Sequence, residues 1–166
     1  MIRYFLFFTL FLLTSCHRES WQHTSIRNGN RDYDIAKLSY PPSNPNSGIK
    51  LEFTRFGKEI HGYINVATFE FPTHKDDLHA TTLTISTNST TRTFVISLLE
   101  GGQRARLTDT CLDYLIQTLQ LKSSVTLSSG HFSETLESSN FERHYNVLLR
   151  EPSRIKPQNL IHFELF

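Results

Sequence analysis

From Ile49 the chain alternates, with Ile49, Leu51 and Phe53 separated by Lys50, Glu52 and Thr54. That period of two is the mark of a strand with one buried face. Gly57-Lys58 supplies a turn, and Ile60, Gly62, Ile64 and Val66 resume the pattern, so an antiparallel hairpin is expected, extended by Phe69 and Phe71 up to Pro72. Leu83 and Ile85, then Phe94, Ile96 and Leu98, predict a second hairpin across the polar turn Thr87 to Thr90. Val125 and Leu127, then Phe132 to Leu136, predict a third across Ser128-Ser129-Gly130, and alternation of Ile161, Phe163 and Leu165 predicts a closing strand at Leu160 to Phe166.

Twice the period changes to that of a helix. Leu107, Cys111, Leu112, Leu115, Ile116 and Leu119 share one stripe, with Thr108 or Asp109 placed to cap it. Ser139-Asn140-Phe141-Glu142 has the spacing of a capping box, and Phe141, Tyr145, Leu148 and Leu149 form the apolar face of a second helix that Pro152 ends. Residues 49–166 are therefore expected to form one α+β domain: a mostly antiparallel sheet of about seven strands with two helices packed on one face.

Ahead of Ile49 the pattern is weaker. Residues 16–48 are polar and irregular and end in Pro41-Pro42-Ser43-Asn44-Pro45-Asn46-Ser47-Gly48, which reads as a tether with an average reach of roughly 30 Å for a flexible coil. Ile35, Leu38 and Tyr40 suit a short peripheral element within it, and Trp21 suits a lipid interface. Further upstream, Arg3 precedes an almost unbroken apolar run from Tyr4 to Leu13. The run is shorter than the ~20 residues a spanning helix needs and matches the ~7–15 of a secretory signal, so residues 1–15 are read as a signal peptide.

Leu13-Thr14-Ser15-Cys16 places an aliphatic residue, two small residues and a cysteine directly after that run. The tetrapeptide resembles the lipobox of bacterial lipoproteins. The resemblance implies cleavage before Cys16, a diacylglyceryl group on its sulfur, and acylation, with palmitate or a similar chain, of the new amino group. It also implies attachment to a cell-envelope membrane facing the periplasm, for which the outer membrane is the expected choice over the inner. Two or three acyl chains anchor stably, since each buried methylene contributes ~0.8 kcal/mol and one chain alone is marginal.

Charge and cysteine count narrow the partners. Of the 17 Lys and Arg only Arg3 precedes Cys16, and none of the 16 Asp and Glu does, so the rest of the chain is balanced. A balanced chain lacks the basic footprint that phosphate backbones require, which excludes nucleic acid as an expected partner. The chain has two cysteines. If Cys16 becomes a thioether, Cys111 has no partner for a disulfide within the chain, and its place on an apolar stripe makes it a packed thiol rather than a nucleophile.

Chemistry-bearing clusters are few. His74, Asp76, Asp77 and His79 form the densest set of metal-ligating types, but His74 and His79 are five apart, too many for one helical face, and the bland reading is a solvated turn. Glu100-Gly101-Gly102-Gln103-Arg104-Ala105-Arg106 offers backbone amides and two cations without the Walker lysine or the spaced dinucleotide glycines, so a tight turn is the simpler account. No serine lies in a Gly-x-Ser-x-Gly elbow. Phe166 is terminal, but counting back by twos gives Glu164 and His162 where a membrane barrel needs apolar residues. The reading that follows is a lipoprotein, not an enzyme and without cofactor or metal, whose domain binds another envelope protein or serves envelope assembly. Two alternatives stand beside it: a small periplasmic hydrolase or metal enzyme built on His74, Asp76, Asp77 and His79, and a carrier of a small ligand or lipid.

Overall fold

The computed structural model describes residues 20–26, 35–121 and 124–150. Cys16, the signal peptide and the closing strand expected at 160–166 lie outside these residues. In chain order the elements are β1 (Gln22–Ile26), β2 (Ile35–Tyr40), β3 (Lys50–Phe56), β4 (Glu59–Asn65), β5 (Ala80–Ser86), β6 (Thr91–Leu98), β7 (Arg104–Arg106), α1 (Asp109–Gln120), β8 (Val125–Ser129), β9 (Phe132–Leu136) and α2 (Phe141–Leu149). The strands make one open sheet in the order β1-β2-β3-β4-β7-β6-β5-β8-β9, with every neighbouring pair antiparallel. The class is α+β, but the sheet has nine strands among the described residues, not about seven. The three expected hairpins are β3–β4, β5–β6 and β8–β9.

Register explains which face is buried. Leu38 lies opposite Phe53 and Phe53 opposite Gly62, while Tyr40, Leu51, Ile64 and Ala105 continue a parallel row. Both helices cover this face. The rings of Phe141 and Tyr145 on α2 stand 5.8 and 6.1 Å from that of Phe53. A Cβ on Gly62 would come within 2.8 Å of both Leu107 and Leu112, so the glycine is what lets the start of α1 approach the sheet. On α1 the buried residues are Cys111, Leu112, Leu115, Thr118 and Leu119, and Thr108 caps the helix by accepting a bond from the Cys111 amide at 3.4 Å.

The reading of residues 16–48 as a tether is corrected by the sheet for the described residues 20–26 and 35–48. Trp21 is only 2% exposed and packs against Tyr40, Phe53 and Phe141 at ring separations of 5.0, 6.3 and 4.9 Å. Its indole donates a hydrogen bond to the Glu137 carbonyl at 3.0 Å. A flat, wide ring with one donor gains most where burial and a carbonyl coincide, and the core offers both. Residues 22–26 and 35–40 are the first two strands, so the domain starts well before Ile49. The proline-rich segment runs along β9, with Ser43 N donating to Glu134 Oε2 at 2.9 Å and Ser133 N donating to Ser47 O at 2.9 Å. It thereby covers an edge strand that would otherwise lie open.

Three smaller expectations also change. Residues 66–71 do not extend β4, and Phe69 is exposed although Phe71 is buried. On α2 the buried face is Phe141, His144, Tyr145 and Leu148, with Leu149 exposed. The capping box does not form. Phe141 N donates to Ser138 O at 3.0 Å, a turn that drives the Phe141 ring into the aromatic cluster and leaves Asn140 at φ 62° as a cap without a side-chain bond. Asn140→Ala is expected to lose ~1–2 kcal/mol of unfolding free energy, because a left-handed backbone is costly for an ordinary side chain. Asn140→Gly should be neutral or slightly stabilising, and Ser139→Ala should change stability by less than ~0.5 kcal/mol in the same urea titrations.

Candidate functional site

The residues 74–79 fold back on themselves. His74 N donates to Ala80 O at 2.7 Å, the Asp76 amide donates to His74 Nδ1 at 3.3 Å, and the His79 amide donates to Asp77 Oδ1 at 2.8 Å. The imidazole of His74 and the carboxylate of Asp77 thus cap their own turn, as short polar side chains in such turns commonly do. No group of three or more His, Cys, Asp or Glu side chains among the described residues is arranged to hold a metal ion. His79 instead borders a cleft of about 340 Å³ together with Glu70, Glu100, Gly101 and Gly102. The two loops singled out in the sequence therefore meet, but around carboxylates.

The cations of the 100–106 segment point elsewhere, because Arg104 and Arg106 belong to the short strand β7, whose middle residue Ala105 is the one facing the core. On the outer face Arg104 stacks on Tyr63 at 4.1 Å and binds Glu52 Oε1 at 2.9 Å, and Arg106 reaches His61 Nδ1 at 3.0 Å. Lys37 and Lys50 approach the same Glu52 carboxylate at 3.4 and 3.6 Å. Burial alone would raise the Glu52 pKa, but the combined field of Lys37, Arg104 and Lys50 outweighs it and holds the group below its ordinary value of 4.5.

That depression has a sign. A carboxylate whose folded pKa lies below its unfolded one contributes stability that is fully present above the unfolded value and is lost as pH falls through the folded one. Below about pH 4.5 the native protein should therefore lose stability on acidification. Glu52→Gln should remove part of that slope in urea titrations carried out between pH 5 and 3. An unchanged slope would mean that the cluster is solvated and contributes nothing.

A third place was not singled out in the sequence. Phe132, Glu134 and Leu136 alternate on β9, which puts Glu134 in a core register, and it is 3% exposed. Two other inward hydroxyls are satisfied: Thr81 donates to Pro72 O at 2.6 Å and pairs with Ser129 at 3.1 Å, and Thr118 donates to Tyr114 O at 2.7 Å. Glu134 holds the Ser43 amide on Oε2 and borders a cleft of about 620 Å³ between β9 and the segment 40–43. The frame is set by the core, since Tyr40 donates to Thr135 O at 3.4 Å and accepts from the Glu137 amide at 3.3 Å. The only sign in the sequence was an acidic residue at an apolar beat of a strand.

No protein-family model, curated protein or solved structure matches this chain. Cys111 is fully buried and free, and burial pushes its thiol up to about 12. At neutral pH it stays protonated, which suits packing and not nucleophilic attack. No helix among the described residues is long and apolar enough to cross a membrane.

Proposed function

We propose that the chain is a bacterial envelope lipoprotein, acylated on Cys16, whose α+β domain binds another envelope protein at the membrane surface. The observation that carries this reading is the tetrapeptide Leu13-Thr14-Ser15-Cys16 directly after a ten-residue apolar run. The position of Trp21 refines it. Trp21, a side chain fixed in the core, is five residues on from Cys16, and an extended chain covers ~3.3–3.6 Å per residue, so the anchor lies within roughly 18 Å of the domain. A domain so tied works against the membrane surface and not at the end of a 30 Å tether.

Support for a protein partner comes from the sheet edges. The β9 edge is covered by the proline-rich segment, whereas β1 has all five residues exposed and a strand neighbour on one side only among the described residues. An edge strand with no strand on its outer side among the described residues is the kind of feature that a partner strand uses. Membrane fractionation tests the anchoring: wild-type chain should sediment with membranes and leave them only with detergent, and Cys16→Ser should appear in the soluble fraction. Equal membrane retention of both would remove the anchor from this account. For the partner, photo-crosslinkers placed at Thr24 on β1 should capture one envelope protein, and capture at Thr84 on β5 should not.

A further inference from the structure

The loops 74–79 and 99–103 hold apolar side chains out in solvent. In the first, His74 N donates to Ala80 O at 2.7 Å and Ala80 N to Asp77 O at 3.2 Å, while the His74 ring and the Asp77 carboxylate accept amides of the same turn. Leu78, within this bracing, is 75% exposed. In the second, Gly101 and Gly102 take φ of 86° and 64°, Gly102 N donates to Leu99 O at 3.0 Å, and Leu99 is 37% exposed. Phe71 N donates to Gly102 O at 2.8 Å and Thr68 Oγ1 to Asn46 O at 2.9 Å, which fixes the stretch between them and leaves Phe69 64% exposed. Leu78 and Leu99 line one cleft with Glu70, the neighbour of Phe69 in sequence. A single exposed leucine is ordinary, but large apolar side chains gathered on adjoining braced loops mark a contact surface.

Strand register places this surface at the end of the sheet where the chain enters. Residues 66–79 join the end of β4 to the start of β5, and residues 99–103 join the end of β6 to the start of β7. Asn65 lies opposite Lys50 and Arg104, Leu98 opposite Ala105, and Ala80 opposite Ser97, so these strand ends fall together. Trp21 precedes Gln22, which lies opposite Ser39, and Tyr40 lies opposite Leu51, at the same end. Cys16 is five residues before Trp21, a reach of roughly 18 Å. Ile26 and Phe56 are exposed too, but at the opposite end, and the seven residues of β3 alone set the two ends roughly 23 Å apart. An anchor on Cys16 can therefore press the first end onto a membrane and not the second. We propose that Phe69, Leu78 and Leu99 dip into the lipid surface that holds Cys16, so that the domain stands on that membrane on its 66–79 and 99–103 loops. This rests on the proposed acylation of Cys16. Exposed Glu70, Asp76, Asp77 and Glu100 flank the apolar side chains, so the insertion stops at the headgroup boundary and does not depend on anionic lipid.

The test uses the chain purified from membranes of a bacterial host and reconstituted into vesicles of phosphatidylcholine brominated along the acyl chains. Trp21 is the only tryptophan in the sequence and is buried, so wild type gives the background for Phe69→Trp, Leu78→Trp and, at the opposite end, Phe56→Trp. These positions are exposed, which lets each variant fold. Every protein should float with the vesicles. The emission that Phe69→Trp and Leu78→Trp add should be mostly quenched, because bromine quenches on near contact, and the emission that Phe56→Trp adds should persist. Flotation without quenching in Phe69→Trp or in Leu78→Trp, or with equal quenching in Phe56→Trp, overturns the proposal and leaves the anchor standing. Quenching that appears only when phosphatidylglycerol is added overturns it as well. A wild-type chain that does not float removes the anchor and this proposal together.

Discussion

Trp21→Ala is expected to lower the unfolding free energy by about 3–5 kcal/mol, the usual cost of truncating a fully buried large aromatic. The side chain is 2% exposed, its ring sits among Tyr40, Phe53 and Phe141, and its indole N–H meets the Glu137 carbonyl at 3.0 Å. Alanine would leave a cavity between two strands and a helix and would also orphan that carbonyl. For a domain whose total stability lies in the usual range of ~5–15 kcal/mol, the loss is a large fraction. Trp21→Phe separates the two contributions, since it keeps most of the apolar contact and loses only the donor; ~1–2 kcal/mol is expected there. Urea titrations of the three proteins give both numbers. A change below ~0.5 kcal/mol for Trp21→Ala, the level of surface substitutions, would return Trp21 to the surface and restore the tether.

A larger effect is expected from removing the segment up to Gly48, where the alternating pattern alone would begin the domain. Such a chain should fail to fold cooperatively. It loses β1 and β2, and with them Trp21, Leu38 and Tyr40 from the core. It bares the edge of β3 beside Phe53 and uncovers β9, where Ser43 and Ser47 make their hydrogen bonds. Leu38 alone is worth ~2–5 kcal/mol by the cost of truncation, so with Trp21 the losses reach the whole stability of an ordinary domain. A chain beginning at Ser20 should keep a sharp thermal transition and dispersed amide resonances, and one beginning at Ile49 should show neither. Native-like dispersion from the shorter chain would place the domain boundary where the alternation begins.

These two expectations mark where the sequence misleads and why. The hairpins β3–β4, β5–β6 and β8–β9 are legible because each strand buries one face, so apolar residues recur at every second position. β1 is illegible because all of Gln22 to Ile26 is exposed at the sheet edge, and nothing in Gln-His-Thr-Ser-Ile alternates with burial. β2 carries its signal in only Leu38 and Tyr40, next to a lysine that points to the outer cluster around Glu52. β7 has three residues, of which only Ala105 is buried, too few to set a period.

Caps and sites fail for a related reason. The spacing of Ser139 and Glu142 satisfies a local rule, but burial of Phe141 against Trp21, a residue 120 positions earlier, sets the entry angle of α2 and overrides it. The candidate cleft has the same origin. It is made by the segment 40–43 meeting β9, a contact about ninety residues apart in sequence, and no local pattern encodes it. What the sequence did contain was Glu134 at an apolar beat of β9, a local conflict of the kind that collects at functional sites. By contrast, His74, Asp76, Asp77 and His79 drew notice by composition, and His74 Nδ1 and Asp77 Oδ1 accept backbone amides of their own turn.

Mass spectrometry of the mature amino-terminal peptide tests most directly the proposed membrane anchor on Cys16, five residues ahead of the buried Trp21. Protein purified from membranes of a bacterial host, digested with trypsin, should yield a peptide that begins at Cys16 and carries a diacylglyceryl group, with or without a further amide-linked acyl chain. An unmodified peptide beginning at Met1, or at any residue other than Cys16, would contradict it.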